Sequence, residues 1–271
     1  MRIGLIAGGG QFPIIFCERA SKQGYEIYAV AFKNEADPSL ADHVKRIVWL
    51  HVGQLNKLVN FYKSHQIGAA VMMGTIRKTR LFKHLKPDIK ALSLMTSMRH
   101  THDDGVLRVF ADFLEKSGIQ VKASTFLLPE LLAEPGCWTR RKPSRAERAD
   151  IQLGWQLAKE IGRLDIGQCV VVGGGSVLAV EAVDGTDATI RRGGELGQGN
   201  AVVIKVCKPT QDERFDVPAV GIQTIETMRH SDARLLVLEA GKSIVFDKQA
   251  MITAADEAGI SIVALEEPDA D

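Results

Sequence analysis

The sequence predicts an α/β protein of two domains, a Rossmann-like parallel-sheet N-terminal domain and a smaller mixed α/β C-terminal domain. Three observations carry that prediction. Through the first half, short apolar runs rich in β-branched residues alternate with stretches of helical periodicity. The segments Ala133-Glu134-Pro135-Gly136 and Arg140-Arg141-Lys142-Pro143 then interrupt the alternation and read as a linker. Beyond them the apolar runs are joined by glycine-rich turns, some too short for a crossover helix. The expected division is residues 1–135, a linker over 136–143, and a catalytic C-terminal domain over 144–271. A length of 271 residues accommodates two modest domains.

Arg2 to Ala7 opens the chain as a buried strand. Gly8-Gly9-Gly10-Gln11-Phe12-Pro13 follows, with Pro13 placed for the first turn of a helix that runs to about Lys22 and is stopped by Gly24. A glycine-rich turn between strand and helix lets backbone N–H groups approach a phosphate, which marks Gly9, Gly10 and Gln11 as candidate ligand contacts. Pro13 stands where the third glycine of a dinucleotide fingerprint belongs, so a tight structural turn explains the stretch equally well. Further strands are expected over Glu26–Phe32, Lys45–Leu50 and Ala69–Met73, with a helix carrying Leu55, Leu58, Val59 and Tyr62 on one face. Thr75 follows the last of these strands at a carboxyl end, where open parallel sheets bind ligands.

A helix is expected over about residues 86–98, and Val106, Val109, Phe110, Phe113 and Leu114 define the next one, ended by Gly118. Between them stand His102, Asp103 and Asp104. They are either an N-cap with its neighbours or carboxylates for a ligand or metal. Ile119–Ala123 is one more strand.

In the second half Ser144-x-x-Glu147 is a capping box that opens a helix with Leu153, Leu157 and Ile161 as its stripe. Strands are expected over Gln168–Val172, Ser176–Val183, Ala201–Val206, Leu235–Glu239, Ser243–Val245 and Ile260–Leu265, with a helix over Lys248–Ala258. Gly173-Gly174-Gly175 should close a hairpin. Two charged stretches stand out. Asp184-Gly185-Thr186-Asp187 precedes Arg191 and Arg192, and is a plain turn or part of an anion site. Lys205 through Gly221 interleaves Lys205, Lys208, Asp212, Arg214 and Asp216, and is a solvated loop or a place where cations hold phosphate and carboxylates hold a metal or a water.

The net charge of +1 gives no global field for nucleic acid, so none is expected as a partner. Cys17, Cys137, Cys169 and Cys207 are too scattered for a zinc site or a disulfide framework, which points to a reduced, cytoplasmic protein. The glycines after Ala7 break the first apolar run, so no signal peptide is read, and no run reaches the roughly 18 residues of a membrane span.

Taken together, Ala7-Gly8-Gly9-Gly10-Gln11-Phe12-Pro13, His102-Asp103-Asp104-Gly105, Ala179-Val180-Glu181 leading to Gly185-Thr186-Asp187 and Arg191-Arg192, and Lys205 leading to Gln211-Asp212-x-Arg214-Phe215-Asp216-x-Pro218-x-x-Gly221 make a familiar series. The chain resembles the LpxI-type UDP-2,3-diacylglucosamine pyrophosphatases of Gram-negative lipid A synthesis, over nearly its whole length. The resemblance implies hydrolysis of UDP-2,3-diacylglucosamine to UMP and 2,3-diacylglucosamine 1-phosphate (lipid X), with Mg2+ as cofactor. It implies an essential aspartate in the C-terminal domain, best matched by Asp216, with Asp212 and Asp187 as alternates. Asp216 and Asp187 are then the expected metal contacts, and Asp216 and Asp212 the catalytic pair. Arg191, Arg192, Lys205 and Arg214 would offset pyrophosphate charge, and Gly9, Gly10, Gln11, Thr75, His102, Asp103, Asp104, Thr186 and Asp187 would complete the substrate contacts. A membrane-borne substrate implies transient peripheral contact with the inner-membrane surface; a homodimer is left open. Leu92, Leu94, Met95 and Met98, or Phe126-Leu127-Leu128, would face acyl chains or simply pack. A nicotinamide-dependent oxidoreductase and a non-catalytic nucleotide-sugar-lipid sensor are the competing readings.

Overall fold

The computed structural model describes residues 1–76, 87–88, 90–92, 103–209, 211–212, 214–215 and 217–268. The helix expected over about 86–98 falls largely outside these residues, as do His102 and Asp216. The chain divides into two compact units of nearly equal length, so the second is not the smaller one expected. The first comprises Met1–Pro129 and the short segment Asp212–Asp216; the second comprises Glu130–Gln211 and Val217–Asp271.

The first unit is built on strands β1 (Arg2–Ala7), β2 (Glu26–Phe32), β3 (Arg46–Leu50), β4 (Ala69–Met73) and β5 (Gln120–Lys122), in the order β3-β2-β1-β4-β5. All four pairings are parallel. The strands read as near-continuous apolar runs because helices cover the sheet, and all but the first residue of β1 and of β2 are buried. Helix α1 (Phe12–Lys22) starts directly after the glycine turn, with proline in its first turn. Helix α2 (Leu55–Ser64) buries Leu55, Leu58, Val59 and Tyr62, the expected face. Helix α3 (Asp103–Lys116) turns Ala111 and Leu114 fully inward, with Leu107, Phe110 and Phe113 packed on the same core. Val106, expected on that face, is instead exposed. Phe215, far along the chain, packs against this core too.

The strand order reverses between β1 and β4, so the crevice outside their carboxyl ends is the topological switch point. There the glycines are required by backbone contact. A Cβ on Gly8 would stand 2.5 Å from the Thr75 carbonyl oxygen, and one on Gly74 2.5 Å from that of Gly9.

The second unit holds a six-stranded sheet in the order β6-β13-β11-β9-β7-β8, made of β6 (Gly136–Cys137), β7 (Cys169–Gly173), β8 (Ser176–Val180), β9 (Ala201–Lys205), β11 (Ala233–Glu239) and β13 (Ser261–Leu265). Strand β11 is parallel to both β9 and β13, while β6, β7 and β8 join antiparallel. A separate parallel pair links β10 (Ala219–Val220) and β12 (Ile244–Val245). Residues 136–143, expected as a linker, lie in this unit: Gly136 and Cys137 pair with Ala264 and Val263 as an edge strand.

Helix α4 (Arg145–Arg163) covers one sheet face. Its capping box is formed as expected, with the Glu147 N–H donating to Ser144 Oγ at 3.2 Å and the Ser144 N–H to Glu147 Oε2 at 2.8 Å. Its deepest stripe is Ile151, Trp155 and Ala158 rather than Leu153, Leu157 and Ile161, which flank it. The β7–β8 hairpin turns through Gly174 and Gly175, both at positive φ. Their N–H groups donate to the buried carboxylate of Asp150 at 3.1 and 2.7 Å.

The opposite face is covered by α5 (Thr186–Gly197), α6 (Ile222–His230) and α7 (Lys248–Glu257). The periodic pattern announces only α7. Helix α5 contains Gly193, Gly194 and Gly197, and each interior glycine weakens a helix by roughly 1 kcal/mol relative to alanine. The packing explains them: a Cβ on Gly193 would lie 2.5 Å from that of Val171, and one on Gly194 2.3 Å from the Ser231 carbonyl oxygen. Strand β8 therefore ends at Val180, short of the expected Val183, and the chain turns into α5.

Candidate active site

The carboxyl edge of the second sheet carries the densest set of sequence-nominated residues. Lys205 is the last residue of β9 and is 7% exposed, and Glu181, 8% exposed, follows β8. Helix α5 begins at Thr186, after Gly185 at φ 81°. Glu181 receives the Thr186 hydroxyl on Oε1 at 2.8 Å and the Gln168 N–H on Oε2 at 3.1 Å. Lys205 donates from Nζ to the Ala219 carbonyl at 2.8 Å. Cys169 lies opposite Lys205 in the sheet. Burial pushes its thiol far above the ordinary range, the charges of Glu181 and Asp187 push the same way, and Lys205 opposes them. Glu181, Asp187 and Lys205 therefore share one electrostatic neighbourhood. No side chain caps α5, so its amino end presents N–H groups and a positive dipole.

Asp187 is exposed in the first turn of α5. One turn on, Arg191 is exposed as well. Arg192 is partly committed: it donates to Asp184 Oδ2 at 2.6 Å and to the Val180 carbonyl at 2.9 Å. Hydrogen bonds from the Arg192 side chain and the Ala182 N–H hold the Asp184 carboxyl below its usual range. No group of three or more His, Cys, Asp or Glu residues suited to a metal ion occurs among the described residues. At this edge Asp187, an exposed carboxylate in the first turn of α5, is a residue that would contact a hard divalent cation.

In the first unit, Asp212 and Arg214 face one another. Arg214 Nε lies 3.0 Å from Asp212 Oδ1 and its Nη2 lies 2.7 Å from Oδ2. Nη1 donates to Glu115 Oε1 of α3 at 3.1 Å, and Arg108 of the same helix approaches Asp212 at 3.8 Å. The Arg214 hydrogen bonds hold the Asp212 carboxyl below its usual range, and Asp212 in turn raises the Arg214 guanidinium.

At the switch point of the first sheet, the Gly9 N–H donates to the Thr75 carbonyl at 2.8 Å and the Thr75 N–H returns to that of Gly9 at 3.0 Å, while the Gly8 N–H reaches Met73 at 2.8 Å. The Gly9 N–H is thus spent within the fold, and Gly10, Gln11 and the Thr75 side chain remain as exposed candidates there. Asp103 and Asp104 open α3, and their side chains lie outside the described residues. Of the stretch nominated for acyl chains, Leu128 is fully buried and packs in the core. Glu181, quoted in the motif series, was given no role by sequence reasoning. Its signal was a lone acid directly after the apolar run of β8.

The profile of the LpxI N-terminal domain matches residues 2–131, and that of the LpxI C-terminal domain matches residues 134–263. A relative from Caulobacter vibrioides, named UDP-2,3-diacylglucosamine pyrophosphatase LpxI, is 32% identical over 276 aligned residues, covering 98% of each chain. Among solved structures, an N5-carboxyaminoimidazole ribonucleotide synthetase in complex with ADP aligns at TM-score 0.28 and 14% identity, over 74% of this chain and 45% of its own. A biotin carboxylase domain of a single-chain bacterial carboxylase aligns at TM-score 0.27 and 13% identity, over 63% and 36%. The chain spans less than half of either solved structure, and likeness at that level carries no argument about this protein.

Proposed function

The chain belongs to the LpxI family, and we propose that it hydrolyses the pyrophosphate bond of UDP-2,3-diacylglucosamine to UMP and 2,3-diacylglucosamine 1-phosphate, a step of lipid A biosynthesis. The match to the named relative over 98% of both chains carries the reading. Chemically, a water oxygen bonds to one phosphorus, the bridging P–O bond breaks, and the proton lost by water is taken up at a nearby base or phosphate.

The polar edge of the second unit supports that chemistry. The amino end of α5 and the Lys205 ammonium receive phosphate oxygens, and Arg191 and Arg192 stand on the same helix to offset charge that builds on the leaving phosphate. Glu181 holds the Thr186 hydroxyl and so fixes the first turn of α5. Asp216 is the proposed acceptor or orienter of the attacking water, and Asp187 the proposed carboxylate toward Mg2+. When bound, Mg2+ supplies Lewis-acid neutralisation of the phosphate oxygens. Asp212, clamped by Arg214, keeps that arginine and its own carboxylate charged and oriented. A substrate with two acyl chains brings the protein to the inner-membrane surface as a transient, peripheral visitor. Among the described residues no helix is long and apolar enough to cross a membrane. A second copy of the chain is a further proposed partner.

The test is release of UMP from UDP-2,3-diacylglucosamine by purified protein, with Mg2+ and with chelator. Metal-dependent formation of UMP and lipid X is expected. Binding without turnover would replace the reading with that of a sensor.

A further inference from the structure

At the amino end of β7, two buried charges stand in one row of side chains without touching. Cys169 is opposite Lys205 of β9, and on its other side the Glu181 N–H donates to the Cys169 carbonyl at 2.9 Å. Opposed residues of antiparallel strands project to the same face, here the face on which Cys169 and Val203 pack with Ile190 of α5. Neighbouring strands lie about 4.8 Å apart, so the backbones bearing Glu181 and Lys205 are separated by about 10 Å with Cys169 between them. Among the described residues Glu181 is met by a hydroxyl and a backbone N–H and not by a cation.

Burying a carboxylate without an ion-pair partner is costly, so Glu181 is no device for stability. Its use lies in its two acceptor oxygens. The donors come from separate elements, the Gln168 N–H from the segment entering β7 and the Thr186 hydroxyl from the first turn of α5. A glutamine there would turn an amide N–H toward one of these donors; a carboxylate satisfies both. Gly167 lets the entering segment come this close, because a Cβ there would stand 2.3 Å from the Glu181 carbonyl oxygen. Thr186, nominated as a substrate contact, has its hydroxyl proton committed to Glu181 instead. Asp187 is the next residue, and Arg191 follows one turn on.

We infer that Glu181 and Thr186 are positioning residues for the reaction: their hydrogen bond sets the first turn of α5 and so places Asp187 and Arg191. The inference rests on the pyrophosphatase reading and on the roles proposed there for α5. Misplacing a group that acts in the reaction by about 1 Å can lower the rate on the order of 100-fold.

The experiment uses full-length Thr186→Val, Thr186→Ser and Glu181→Gln proteins. It reads kcat and KM for UMP release, thermal unfolding, and hydrogen–deuterium exchange over residues 183–192. Thr186→Val and Glu181→Gln should lose about 10- to 100-fold in kcat with KM within about twofold, and should exchange faster over that segment. Thr186→Ser keeps the hydroxyl and should recover most of the rate. Unchanged kcat in Thr186→Val would overturn the inference, as would an equal loss in Thr186→Ser or a loss matched by general unfolding. A loss confined to KM would make Thr186 a substrate contact and overturn it too. If the parent protein releases no UMP, the functional reading fails by itself. Exchange then decides whether the bond holds the turn, and unchanged exchange in Thr186→Val overturns the inference.

Discussion

Arg214 grips the carboxylate of Asp212, two residues before it, with Nε 3.0 Å from Oδ1 and Nη2 2.7 Å from Oδ2. A fork of this kind is geometrically specific and suits arginine rather than lysine. The same stretch of sequence carries Asp216, the residue proposed to act on the attacking water.

Removing the fork should be visible in the titration of Asp212. The carboxyl is held low first by the side-chain hydrogen bond from Arg214, so Arg214→Ala should raise its pKa toward the ordinary carboxylate value. Because the folded pKa is the depressed one, the pair stabilises the native state above the unfolded pKa, and the contribution is lost as pH falls through the folded pKa. Carboxyl-carbon NMR of both proteins measures the shift. Acid unfolding should begin at higher pH in the variant.

Asp216→Ala should lower kcat for UMP release by about 100- to 10,000-fold with KM nearly unchanged, as loss of a group acting on the attacking water requires. A variant that turns over at the parent rate would remove Asp216 from the mechanism.

Lys205→Met keeps the length and apolar stem of the side chain and deletes its charge. On the role proposed for Lys205 at a phosphate oxygen, the change should weaken UMP binding, read by calorimetry. Equal affinity in parent and variant would place the nucleotide phosphate elsewhere.

Gly74→Ala should destabilise the protein by about 1–3 kcal/mol in denaturant unfolding. The added methyl would meet the Gly9 carbonyl at 2.5 Å, and the residue sits at φ 86°, where alanine is strained. Gly10→Ala is the contrast. It has a comparable positive φ but no atom within 4 Å, so its cost should be smaller.

Ser144→Ala should cost about 1 kcal/mol, because the Glu147 N–H loses its acceptor at the start of α4. Glu147 is buried, which opposes its charge. The Ser144 N–H and Arg141 nonetheless hold its carboxyl below the usual range, so the Arg141 contact should persist in the variant.

What the sequence by itself determined is whatever rests on local pattern. The apolar runs of β1, β2, β4, β7, β9, β11 and β13, the face of α2, the span of α7, the Gly174–Gly175 hairpin and the Ser144 capping box are all fixed by neighbours within a few residues, and all were legible. The order of the motifs along the chain carried the family. What only the tertiary structure decided depends on contacts between distant residues. Helix α5 forms despite its glycines because Val171 and Ser231 leave no room for a Cβ at Gly193 and Gly194. The Gly9 N–H, a phosphate donor on paper, is consumed by Thr75, 66 positions away. Asp212, nominated for the catalytic pair, is an arginine's partner. Glu239, read as the end of a strand, meets Cys207 and Lys159 across the sheet. A residue's chemistry follows its type, but its availability follows its partners, and partners are set by packing.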